Sequence, residues 1–149
     1  MLVDSRSEIY KYLYDMFYDV VTKNVYCVNE PQELKEDDIK NGFVVIKVGD
    51  IIDESQFDGE AYGYTRCYIE AYIPPISRGR LDYDKFKEFE DGINGVIKNA
   101  TKEIGNNGDY FIEQGSELSM DSQQTNNASN VFFMFIKSFV VIIDKQSSN

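Results

Sequence analysis

Ile9, Leu13, Met16, Phe17, Val20 and Val21 recur at helical spacing near the start of the chain. Ser5-x-x-Glu8 reads as a capping box just before them, so the pattern predicts a first helix over residues 6–22. Tyr10, Tyr14 and Tyr18 recur every four residues and form a stripe beside the apolar one. Two readings fit that stripe: a wide core-facing surface, or a contact with another subunit. Asn24 is a helix stop, and VYCV at 25–28 predicts a short strand.

The period then changes. NEPQELKEDDIKN at 29–41 is polar and acidic and is expected to be a surface loop. GFVVIKVGDII at 42–52 is rich in β-branched residues and predicts a strand buried on both faces. After an acidic turn at 53–63, alternation is clean from Tyr64 to Ile73. Thr65, Cys67, Ile69, Ala71 and Ile73 share one face, while Tyr64, Arg66, Tyr68, Glu70 and Tyr72 share the other. Pro74 and Pro75 end this strand because neither can donate to a ladder.

Asp82 or Asp84 caps the next helix, whose stripe is Phe86, Phe89, Ile93, Val96, Ile97, Ala100 and Ile104. Gly92 and Gly95 lie inside it, each costing up to about 1 kcal/mol relative to Ala, so they point to a break or to a close neighbouring backbone. The helix is expected to cross the sheet there. GNNGD at 105–109 is a turn, YFIEQ a short strand, and VFFMFIKSFVVIID from 131 a long last strand. The polar segment 114–130 between them has no periodicity and is expected to be a long loop. The order α-β-β-β-α-β-β predicts a single α+β domain over 1–149, with two helices packed on one face of a mainly antiparallel five-stranded sheet.

Composition narrows the chemistry. The chain has 149 residues, no His, and a formal net charge of −11. Histidine-dependent nucleophile systems are therefore excluded. Neither GxxxxGK[ST] nor GxGxxG occurs, so phosphate-cradling loops and their cofactors have no support. Asp50, Asp53, Glu54, Asp58 and Glu60 crowd one loop but lack the spacing of an EF-hand. They read as a solvated acidic surface rather than a metal site. Tyr62, Tyr64, Tyr68 and Tyr72 could stack bases, yet only Arg66 is interleaved among them, and a negative chain repels phosphates. Specific nucleic-acid recognition is not expected.

Cys27 and Cys67 lie in predicted strands, and a disulfide would require those strands to be neighbours. The N-terminus lacks the pattern of a signal peptide, and the apolar run at 131–143 is interrupted by Lys137 and too short to span a bilayer. A soluble, intracellular, non-enzymatic protein is the expectation. An enzyme working by carboxylates alone ranks third.

One further feature is the placement of two arginines, Arg78 and Arg80, between the double proline and the second helix of an acidic chain. An N-terminal helix, three strands ending in RCYIEAYI, a helix DYDKFKEFEDGINGVIKNA and two closing strands together resemble the tail-terminator and tail-completion proteins of tailed bacteriophages. The resemblance spans residues 5–143 as an order of elements. It implies a virion protein, assembled in the host cytoplasm, that forms a closed six- or twelve-fold ring at the head–tail connector, neck or tail terminus. Portal, adaptor or tail proteins would be its neighbours, and its acidic lumen would pass DNA. Arg78, Arg80, Tyr64, Tyr68, Tyr72, Tyr10, Tyr14 and Tyr18 are then the candidate subunit contacts, with acidic loops at 29–38 or 50–60 as their counterparts. The same charge equally suits a small acidic binding or regulatory module acting on a basic protein partner.

Overall fold

A computed structural model describes residues 6–54, 61–99, 103–104, 110–113, 123–127 and 130–145. The chain folds as α+β. In order, the elements are α1 (Arg6–Phe17), β1 (Val25–Cys27), α2 (Glu36–Asn41), β2 (Phe43–Val48), β3 (Ile52–Asp53) and β4 (Ala61–Ile73). A 3₁₀ turn at Ser77–Gly79 leads to α3 (Tyr83–Asn99), then β5 (Glu103–Ile104), β6 (Tyr110–Glu113), β7 (Gln123–Asn127) and β8 (Asn130–Lys145).

The sheet runs β1-β2-β4-β8-β6-β5, with β3 also on β4 and β7 also on β8. Its spine is the antiparallel pair β4 and β8, in register from Ala61↔Lys145 to Ile73↔Phe133. The sheet is mixed and has eight strands where five are expected: β1 runs parallel to β2 through Tyr26↔Val45, while the other pairings among the described residues are antiparallel. Parallel neighbours need a crossover, and the segment 28–42 supplies it, with α2 inside.

Alternation along β4 divides the sheet into two faces, as the sequence pattern predicts. Cys67, Ile69, Ala71 and Ile73 join Val44, Ile46, Phe135, Phe139 and Val141 under α1 and α3. The helices contribute Ile9, Leu13, Phe17, Phe89, Ile93 and Ile97 to this core. Burying side chains of this size contributes on the order of 1.5–3 kcal/mol each. Glu8 anchors α1 to the sheet by accepting the Tyr110 hydroxyl at 2.8 Å. Lys137 also sits on the helix-covered face, 5% exposed, with Glu90 Oε2 of α3 at 3.7 Å from its ammonium.

Several boundaries differ from the sequence expectation. α1 stops at Phe17 because Asp19 adopts φ 60, a left-handed conformation that Asp tolerates, and its N–H bonds to the Thr22 carbonyl at 3.0 Å. Val20 and Val21 thereby leave the helix, and Val21 packs on Gly92. Gly92 answers to those side chains rather than to the sheet: a Cβ there would lie 2.3 Å from Val21 Cγ1. α3 runs unbroken through Gly95, which faces open space. Its cap is Asp82, whose Oδ1 accepts the Lys85 N–H at 3.1 Å.

The expected surface loop at 29–41 contains α2, whose start is held from one side only, Asp38 Oδ2 accepting the Lys35 N–H at 2.9 Å. Gly42 ends α2 at φ 88, and a Cβ there would meet the Tyr72 carbonyl at 2.5 Å. The expected loop at 114–130 includes β7, which pairs with β8 from Gln123↔Met134 to Asn127↔Asn130. The predicted turn at 105–109 lies outside the described residues. Cys27 and Cys67 are free, and β2 separates their strands. Two strand spacings put their Cα atoms on the order of 9 Å apart or more, beyond disulfide reach.

Candidate interaction surfaces

The second face of the sheet is aromatic at one end. Phe43 and Tyr72 stack with ring centroids 4.5 Å apart, and Phe132 meets Phe43 edge-on at 5.4 Å. Tyr26, Leu34 and Met134 pack around them. Polar atoms at the rim of this cluster are satisfied within the chain. The Tyr72 hydroxyl bonds Glu30 and lies 3.1 Å from Glu70 Oε1, while Lys47 Nζ is 3.3 Å from Glu70 Oε2. The Tyr26 hydroxyl bonds Asp38, which is fully buried. Desolvation, reinforced by these carboxylate hydrogen bonds and charges, pushes both phenols well above their ordinary value. They stay neutral donors at every physiological pH.

Tyr72 is 2% exposed, so this candidate contact residue presents almost no surface to a neighbour. Tyr64 is exposed further along the same face, with Arg66 beside it and Tyr68 half-buried. Opposite them in β8 stand Ile142, Val140 and Ser138. Tyr10 and Tyr14 are half-buried and pack against the helix-side core. The Tyr10 hydroxyl accepts the Val48 N–H at 2.9 Å, beside a cleft of about 440 Å³ lined by Arg6, Ser7, Tyr10, Val28 and Val48. Tyr14 and Tyr18 stack at 5.6 Å, with Tyr18 exposed. The tyrosine candidates therefore fall on separate surfaces: Tyr10 and Tyr14 of α1 lie across the sheet from Tyr64 and Tyr68.

The connector between β4 and α3 forms a different surface. Ile76 and Arg80 are bridged, the Ile76 N–H donating to the Arg80 carbonyl at 2.8 Å, and the turn between them holds Gly79 at φ 69. The backbone of Arg78 lies in this turn, while its side chain falls outside the described residues. Arg80 is exposed, as are Ile76 and Tyr83, the latter at 76%. A basic side chain between two exposed apolar ones is the composition that interface centres favour. Sequence reading singled out Arg78 and Arg80 but missed Ile76 and Tyr83. Tyr83 precedes Phe86 by three residues, which would assign it to the buried stripe of α3.

The acidic segments lie at opposite ends of the strands. α2 adjoins the connector: a Cβ on Gly42 would be 3.1 Å from Pro74 Cδ, and Lys85 Nζ is 3.5 Å from the Asn41 carbonyl. Asp50, Ile52, Asp53 and Glu54 are exposed at the other end, where β3 pairs with β4 through Asp53↔Gly63. Ten residues of extended β4 separate Gly63 from Ile73, a span of roughly 30 Å.

No protein-family model matches this chain, and no curated protein sequence matches it.

Proposed function

We propose that this chain is a structural, non-enzymatic subunit that associates with copies of itself into a ring, at a phage head–tail connector, neck or tail terminus. The observation that carries the reading is the exposed Ile76–Arg80–Tyr83 connector, a basic and apolar surface on a chain of net charge −11. A basic and apolar surface of this kind suits an acidic partner, and the chain itself is the nearest source of one. Support also comes from the order of the long elements: α1, then β2 and β4, then α3, then β6 and β8. Two helices on one face leave the other face, with Tyr64 and Tyr68, for lateral contacts. The proposed partners are further copies and adjacent virion proteins, and the surrounding acidity would keep passing DNA from adhering to the wall.

Sedimentation velocity of the purified chain across a concentration series, with negative-stain microscopy of the heaviest species, tests this reading. A discrete ring of six or twelve copies is expected. A monomer at every concentration, which binds a basic protein with a rate that collapses in salt, would replace it with the regulatory reading.

A further inference from the structure

We infer that the cleft between the start of α1 and the ends of β1 and β2 binds a small carboxylic acid with a short branched or aromatic body. Self-association is not required, because the cleft lies at the Val48 end of β2 and the connector adjoins Gly42 at the other end. Arg6, Ser7 and Tyr10 of α1 line it, with Val28 just after β1 and Val48 of β2. Its volume of about 440 Å³ falls in the range of roughly 300–1,000 Å³ that small-molecule sites occupy.

The polar groups of the cleft select the ligand. A hydroxyl that accepts one hydrogen bond still has its O–H to donate. The Tyr10 hydroxyl accepts the Val48 N–H at 2.9 Å, where two lining residues meet, and no described residue accepts its proton. The Arg6 guanidinium and the Ser7 hydroxyl are donors as well. A cleft that offers donors takes an oxygen acceptor, and a guanidinium among them favours a carboxylate. Arg6 is already engaged, its Nη1 lying 3.3 Å from Asp50 Oδ1. The Asp50 side chain is 94% exposed, so that pair is weak and water replaces it readily. Asp50 therefore competes with the carboxylate of the ligand without blocking it.

The apolar part of the lining is held under strain. Val28 has φ 76, and the Asn29 N–H donates to the Cys27 carbonyl across it at 2.9 Å, the rare form of the three-residue turn. A β-branched residue is an outlier in that backbone region. The Val28 N–H, donating to the Ile46 carbonyl at 2.9 Å, keeps it there with its side chain half exposed at the cleft. Val28, Val48 and the Tyr10 ring then receive the carbon atoms of the ligand.

Saturation-transfer NMR on the full chain, titrated with isovalerate and benzoate and with the two corresponding amides, tests the site. Both acids should bind, and the amides about tenfold more weakly. Tyr10→Phe removes the available donor and should weaken the acids about tenfold. Asp50→Asn removes the competitor and should tighten them about two- to fivefold. Val28→Gly relieves the backbone, so binding should weaken about threefold or more while the melting temperature holds or rises. A merely structural Val28 would not divide the two readouts in that way. Ser7→Trp, at an exposed helix position, fills the cleft and should abolish transfer. It stands in for Tyr10→Phe should circular dichroism show that variant unfolded. A wild-type chain that shows no transfer at millimolar acid would overturn the site, as would transfer undiminished by Ser7→Trp. Acids and amides that bind equally, or an Asp50→Asn variant that binds no tighter, would overturn the carboxylate assignment.

Discussion

Gly92 and Gly95 stand three residues apart in one helix, and the packing around them predicts opposite responses to the same substitution. An Ala inside a helix is worth about 1 kcal/mol over Gly. At Gly95 a Cβ would meet nothing within 4 Å, so Gly95→Ala should realise that gain in full. For a chain of this size the melting temperature should rise by roughly 2–4 °C. At Gly92 the Cβ would sit 2.3 Å from Val21 Cγ1. That is roughly 1.2 Å inside the ~3.5 Å at which carbon atoms meet favourably. Val21 is short and stiff at χ1, and relief requires moving the turn after α1, an overpacking cost of about 1–3 kcal/mol. Set against the propensity gain, Gly92→Ala should be neutral to about 2 kcal/mol destabilising. Removing the obstruction should restore the gain, so Gly92→Ala and Val21→Ala should show a favourable coupling of about 1–3 kcal/mol. Urea unfolding followed at 222 nm on the four proteins of the cycle, with Gly95→Ala alongside, measures all of this. The reasoning fails if Gly92→Ala stabilises as much as Gly95→Ala and shows no coupling to Val21.

Two other outcomes follow from buried groups. Lys137 is almost fully enclosed under α3 with Glu90 beside it, so Glu90→Gln should cost about 1–3 kcal/mol, discounted because Glu90 is partly in water. Lys137→Met keeps the stem, drops the charge, and should be neutral or stabilising in the same urea assay; a loss larger than that of Glu90→Gln would refute this account. Burial pushes the Cys67 thiol up to about 12 and raises that of Cys27 as well. At pH 8, iodoacetamide should modify Cys67 only after unfolding, read by mass spectrometry of labelled peptides. Because the folded value exceeds the unfolded one of about 8.5, the stability that Cys67 contributes is complete below that pH and lost as pH rises toward 12. Cys67→Ala should accordingly flatten the alkaline limb of the stability curve.

Elements whose side chains repeat with a single period were legible from the residues alone. Ile9, Leu13 and Phe17 mark one face of α1, and Phe89, Ile93 and Ile97 mark one face of α3. Cys67, Ile69, Ala71 and Ile73 mark one face of β4, because burial on one side imposes a period on any regular backbone. The α+β class follows from that. Short or polar elements carried no such mark. α2 is held by Asp38, Asn24 and Gly42 rather than by an apolar stripe, and β7 is a polar strand stabilised by its neighbour β8. The parallel pairing of β1 with β2 rests on a crossover whose direction no local pattern encodes.

The candidate surfaces divide along the same line. Composition and spacing determined that this chain is acidic, built on two amphipathic helices and a β-rich core, and marked by a basic junction at 78–80. Only the tertiary structure decided that Tyr72 is sealed against Phe43 while Tyr83 stands in water, since exposure depends on what arrives from distant parts of the chain. It alone set the acidic hairpin at 50–54 and the connector at opposite ends of one long strand, because strand direction and register, rather than separation in sequence, fix distance in a sheet.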